Sequence, residues 1–266
     1  MLPSLPGEMV PTGERVGKAL PLVAMRTVYR EQMDNLAHGL IVMCDHVHGM
    51  HRAAAKALFD ADLEAAESVL TSLDKLDEFR IAAEDRAFEL LARETPVARD
   101  LRQVVSGIYI VEDMARMGAL SVHIANTARR RHPGKALPEQ IEGYFREMAS
   151  VADKITHDTR QVLIDYDVAS ALKVSDDDDA IDDIHSHLFT LTTADDWPHT
   201  PAETVDVTLL SRYFERYADH AVAVAARIVY LATGYKQEDY LRELDSEERR
   251  AAISKRLNDM ARHFHS

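Results

Sequence analysis

A chain of 266 residues, 46% hydrophobic and 29% charged, is long enough for one large core or two cores of about 130 residues each. Ten glycines and nine prolines leave few turn signals, which favours long helices, and a formal net charge of −14 argues against a broad footprint on nucleic acid. The single cysteine, Cys44, excludes an intrachain disulfide framework and fits a reducing, cytoplasmic setting, and no run reaches the roughly 20 apolar residues that a bilayer requires.

Residues 1–24 carry Pro and Gly without apolar periodicity and read as a disordered extension. Helical spacing of apolar residues then predicts helices at about 28–58, 62–93 and 96–131. In the second of these, Leu63, Ala66, Leu70, Leu73, Leu76 and Ile81 form the expected inward stripe. Arg131-His132-Pro133-Gly134 is the linker, and three more helices follow at about 138–165, 168–193 and 201–232. A charged tail, 236–266, closes the chain, with Ser246 to His263 expected as a short surface helix or a loosely docked segment.

The two triplets are copies of one unit. A shift of 105 residues pairs Met43 with Met148, Leu58 with Leu163, Asp62 with Asp167, Ala66 with Ala171, Val69 with Val174 and Asp77 with Asp182. The same shift superposes Thr95-Pro96 on Thr200-Pro201, and each pair reads as a helix start, with Thr as cap and Pro at the first helical position. Only the second has the acid of a capping box, Glu203. The fold class is therefore all-α, as two tandem three-helix bundles, 25–132 and 137–235, plus a C-terminal helical tail.

Candidate chemistry lies in the second copy. Glu215 and Asp219 stand one turn apart on the last long helix, and Asp178 and Asp182 repeat that spacing on the helix before it, with His185 one turn further on. Packed together, the four carboxylates would suit a cation that prefers oxygen, and His185 would admit iron or zinc. The plainer reading is a solvated acidic face, since Asp176 to Asp179 form a continuous run. His46, His48 and His51 do not share a face of the first helix and read as ordinary surface histidines, while Cys44 reads as a small buried side chain. No Gly-rich phosphate loop, nucleophile elbow or Glu-x-x-His pair is present.

With Pro96-Val97-Ala98-Arg99-Asp100-Leu101-Arg102 opening one third helix, Glu215-Arg216-Tyr217-Ala218-Asp219-His220-Ala221 in the other and Leu231-Ala232-Thr233-Gly234 at its end, the chain resembles the PhoU family over residues 25–235. The resemblance implies paired three-helix bundles that bind metal through acid-x-x-x-Asp motifs and restrain phosphate uptake and the phosphate-starvation response without catalysis. It implies as partners the ATPase of the phosphate-specific ABC transporter and the membrane sensor histidine kinase of the phosphate regulon. The protein would reach the membrane only through these partners, and a homodimer is compatible with this reading. By the same resemblance, Asp178, Asp182, Glu215 and Asp219 would hold Fe, Zn, Mn or Mg, with no organic cofactor. The first copy departs from the motif, with Ala115 and Ala119 at the acid positions, Leu73 where Asp178 stands, and only Asp77 kept. Two alternatives stay open: a metal-dependent helical enzyme built on the four acids, which lacks an evident base or nucleophile, and a helical scaffold unrelated to phosphate.

Overall fold

A computed structural model describes residues 22–247 and contains, among them, helices and no strand. The order is α1 (Leu22–Asp60), α2 (Leu63–Glu94), α3 (Ala98–Arg131), a 3₁₀ turn (Glu139–Ile141), α4 (Glu142–Asp165), α5 (Val168–Thr192) and α6 (Pro201–Thr233). Beyond the left-handed Gly234 that closes α6, residues 237–247 are again helical. Of the expected disordered extension, residues 1–21 lie outside the described residues and the last three open α1. Most of the expected Ser246–His263 segment lies outside them too.

Local chemistry sets the helix ends. The repeated aspartates at 62 and 167 are N-caps: Asp62 accepts the Ala65 N–H at 2.9 Å and Asp167 the Ser170 N–H at 2.8 Å. Thr200 and Glu203 make the anticipated capping box, with Pro201 opening α6. The matching expectation for Thr95-Pro96 fails. Thr95 adopts the left-handed conformation (φ 46°, ψ 56°) that ends α2, and α3 begins at Ala98 behind an uncapped Val97. The reason is length: α2 runs for 32 residues where α5 runs for 25, so the first Thr falls on a helix end while the second follows a loop.

One apolar core runs through both triplets, with Met43, Val47, Leu76, Leu90, Ile110 and Met114 buried in the first and Phe145, Ile155, Ile181, Leu188, Phe214 and Ile228 in the second. The α2 stripe is narrower than expected, because Leu63 and Ile81 at its ends are exposed. Within the first bundle α3 approaches α2 closely at Gly118: a Cβ there would stand 2.2 Å from Leu76 Cδ2, so any larger residue would force the buried Leu76 side chain to move. The α6 position that corresponds in the acid-x-x-x-Asp alignment is Ala218, fully buried with its methyl group.

The bundles meet along a seam of two antiparallel helix pairs, α1 with α4 and α3 with α6. On α1, Asp45, His48 and His51 meet Arg160, Asp153 and the Ala149 carbonyl in turn, so partner numbers fall as α1 rises. On α3, Asp113, His123 and Arg130 meet His220, Tyr213 and Asp206. His48 and Asp153 are 105 residues apart, hence equivalent positions of the two copies, and their contact at 2.6 Å marks a pseudo-two-fold axis. Asp206, buried on α6, receives Arg130 at 3.0 Å and Arg131 at 2.6 Å and ties the end of α3 to the start of α6.

These contacts overturn the surface assignment of the three histidines. Their offsets send them to different neighbours: His46 Nε2 lies 2.9 Å from the Ser72 carbonyl of α2, while His48 and His51 face α4 and are buried. His51 stacks on Tyr217 at 4.5 Å between centroids, and the Tyr217 hydroxyl meets that of Thr156 at 3.1 Å. Cys44 is buried as expected, its thiol pushed up to about 12 chiefly by desolvation.

Burial lowers the His51 pKa to about 4, against weaker support from its bond to the Ala149 carbonyl. The unfolded chain therefore takes up a proton below its ordinary value near 6.5 that the native chain refuses until about 4, and stability falls as pH drops through that window. Chemical denaturation from pH 7.5 to pH 4 is expected to show wild type losing about 2 kcal/mol more than His51→Gln, whose amide keeps a donor for Ala149. Parallel losses in the two proteins would refute the burial argument.

Candidate metal centre

The orientation of α6 follows from what it buries. Phe214, Tyr217, Ala218 and Ala221 face the core and the seam, each without measurable exposure. Glu215 lies about 200° around the helix from Tyr217, and Asp219 shares its flank one turn on. That flank packs on α5, where Ile181 and Leu188 are the inward residues and Asp178 and Asp182 stand one turn apart beside them.

The four carboxylates act on one another. Asp178 is raised to about 7, first by desolvation, then by the charges of Asp182, Asp219 and Glu215. Desolvation is also the largest cause raising Glu215 and Asp182, with Asp219 next for both. Exposure grades across the set: Glu215 is buried, Asp178 and Asp219 are half-buried and Asp182 is exposed. One oxygen on each of the inner pair, Asp178 Oδ1 and Glu215 Oε2, is buried without a hydrogen-bond partner.

Among the described residues, however, no three His, Cys, Asp or Glu side chains stand assembled as a ligand set. Two arginines of α6 account for part of this. Arg212 pairs with Glu215 Oε1, and Arg216 approaches Asp219 at 3.8 Å, so half of the acid charge turns toward guanidinium groups. His185, one turn beyond Asp182, directs Nδ1 to the Ser211 hydroxyl at 3.0 Å, and desolvation lowers its pKa. The donor set thus fits a hard, oxygen-seeking cation, which would supply the orphaned oxygens and displace the proton from Asp178. In the first bundle the corresponding Leu73 and Ala115 are half-buried and Ala119 and Asp77 exposed, with no matching group of acids.

Sequence reading found the four acids but missed Arg212 and Arg216 as their present partners, although spacings of three residues put both within reach on the same helix. It also missed the seam pairs His48–Asp153, Asp113–His220 and Arg131–Asp206. For the first of these a signal existed, since it joins repeat-equivalent positions.

A model of the family described as the PhoU domain matches residues 40–128 and 145–228, one match in each bundle. A Mycobacterium tuberculosis protein named phosphate-specific transport system accessory protein PhoU homolog 2 is 47% identical over 210 residues, 79% of this chain and 99% of that protein. A Mycobacterium leprae relative, homolog 1 of the same name, is 45% identical over 81% of this chain and 97% of its own. The crystal structure of PhoU from Pseudomonas aeruginosa superposes with a TM-score of 0.71 at 24% identity, covering 78% of this chain and 100% of that one. That of the phosphate transport system regulatory protein PhoU from Streptococcus pneumoniae gives 0.70 at 21%, over 78% and 98%. Both share the fold.

The raised Asp178 implies a sign. Its folded pKa exceeds its unfolded value, so stability is full below about pH 4 and is lost as pH rises through about 7. Discounted for partial exposure, Asp178→Asn in chelator-treated protein is expected to gain about 1–2 kcal/mol at pH 8, shrinking toward zero at pH 4. A gain independent of pH, measured by urea denaturation, would show that the acids do not interact.

Proposed function

This chain belongs to the PhoU family, and we propose that it is a non-enzymatic regulator of phosphate-specific transport that restrains phosphate uptake and the phosphate-starvation response. The observation that carries the reading is similarity along nearly the whole length of relatives named as accessory proteins of that transport system. We propose further that it works in the cytoplasm as an adaptor, touching the transporter ATPase on one side and a membrane sensor histidine kinase on the other. An adaptor of this size needs a rigid body with free faces, and the seam supplies the rigidity. Ile81 and Phe88, two turns apart on α2, are 50% and 72% exposed and offer an apolar contact face.

In the same reading the second bundle holds one metal ion or cluster, of iron, zinc, manganese or magnesium, through Asp178, Asp182, Glu215 and Asp219, with His185 adjacent. The bound cation would supply neutralisation of the acids. The residues themselves do the mechanical part: Asp178 and Asp182 belong to α5 and Glu215 and Asp219 to α6, so whatever satisfies all four fastens those helices together. The first bundle, with Leu73, Ala115 and Ala119, packs without such a fastener.

Deleting the gene, together with any paralogue, is expected to raise expression of a phosphate-starvation reporter severalfold in high-phosphate medium. Continued repression would remove the regulatory role. Elemental analysis of protein purified without chelator is expected to find metal in wild type and at least fivefold less in the Glu215→Ala, Asp219→Ala double variant, roughly the loss that follows from removing half the donors. Equal metal content in the two would remove the metal site.

A further inference from the structure

A cleft of ≈ 260 Å³ lies where the first turns of α3 meet the end of α6 and the α4–α5 junction, lined by Arg99, Arg102, Gln103, Tyr166, Leu231 and Ala232. Its cations differ from those in two of the other clefts. Where Lys135 and Arg146 line a cavity, Glu142 already binds both, and where Arg52 does so, Asp153 holds it at 2.6 Å. Arg99 and Arg102 make no ion pair and no hydrogen bond among the described residues, in a chain carrying fourteen surplus negative charges. Arg102 Nε is moreover buried without a partner. A guanidinium left unsatisfied in a recess is costly unless a ligand completes it.

We propose that this cleft binds a tetrahedral oxyanion of the phosphate class. Two guanidinium groups present planar, multiply donating surfaces matched to phosphate oxygens. The Gln103 amide and the Tyr166 hydroxyl, kept protonated because burial raises its pKa, add neutral donors. Gly234 contributes by absence: a Cβ there would lie 3.6–3.8 Å from the Arg102 guanidinium, so the bare backbone leaves that head room to shift onto a ligand. Val97 gives α3 no side-chain cap, so the N–H groups of its first turn have no side-chain acceptor. Its acidic neighbours are Asp100 on the same turn of α3, Asp165 and Asp167 on either side of Tyr166, the latter engaged as the cap of α5, and Asp34 of α1, which acts on Tyr166. Leu231 and Ala232 make an apolar wall that strengthens the charge interactions. The cleft takes a phosphate group whether it arrives as the free ion or as the terminal group of a nucleotide.

The test is calorimetric titration of the full chain, freed of metal by chelator, with inorganic phosphate and separately with ADP, using sulfate for comparison. Saturable phosphate binding is expected, weakened about tenfold or more in Arg102→Gln, which removes charge-assisted hydrogen bonds, and unchanged in Arg227→Gln, whose guanidinium lies over the Tyr109 ring. Tighter binding of ADP than of phosphate would assign the nucleotide as source. Should Arg102→Gln not fold by circular dichroism, Arg102→Lys decides, because it keeps the charge and loses the fork; unchanged affinity there overturns the proposal. No saturable binding of either probe up to about 10 mM, or equal affinity in an Arg99→Gln, Arg102→Gln double variant, also overturns it. The inference stands on the cleft alone, so a negative titration leaves the regulatory role to the genetic test.

Discussion

Tyr217 has no solvent exposure, and three helices meet around it: its own α6, α1 through the stacked His51 ring and α4 through the Thr156 hydroxyl. A large aromatic side chain with a satisfied hydroxyl, placed at such a crossing, fixes the rotation of α6 about its axis. That rotation decides the remainder. It turns Phe214 and Ala221 into the apolar core and leaves Glu215 and Asp219 facing α5. Were α6 rolled by one residue, the acids would meet either the apolar seam or water, and neither arrangement would bring them to Asp178.

The acid group is consequently a product of packing, under electrostatic tension that packing does not relieve. Desolvation and mutual repulsion hold Asp178 near neutrality, while Arg212 and Arg216 draw off part of the charge on α6. The same molecule handles charge differently at buried Asp206 and half-buried Asp153, where arginines complete the pairs; Asp153 is lowered to about 2, first by Arg52. The contrast separates charges that fasten the fold from charges left without a full complement of partners, as Arg102 is with the opposite sign.

Much of this was legible in the residues. Apolar periodicity placed all six long helices, the main error being α1, which starts at Leu22 because no opposing residue intervenes after Pro21. The Thr200–Glu203 box marked the start of α6 because both halves of the reciprocal bond are written in the sequence. Thr95-Pro96 misled because it carries only one half, and nothing local records that α2 outlasts α5. The acid spacing marked Asp178, Asp182, Glu215 and Asp219, since one-turn spacing is a property of the helix alone. The histidines were misjudged for the converse reason: a helix in contact with three neighbours can bury residues on several faces, and spacing on one helix says nothing about how many neighbours it has.

The meeting of His48 with Asp153 at equivalent places in the two copies has an evolutionary edge. Had both halves kept the same residue there, imidazole would confront imidazole, or carboxylate would confront carboxylate, across the axis. Each half is instead complementary to its sibling and ill-matched to a twin of itself. Divergence at one mirrored position is enough to make a first half prefer a second half over another first half, so that duplication, once an opportunity for promiscuous exchange, became a lock with a matching key.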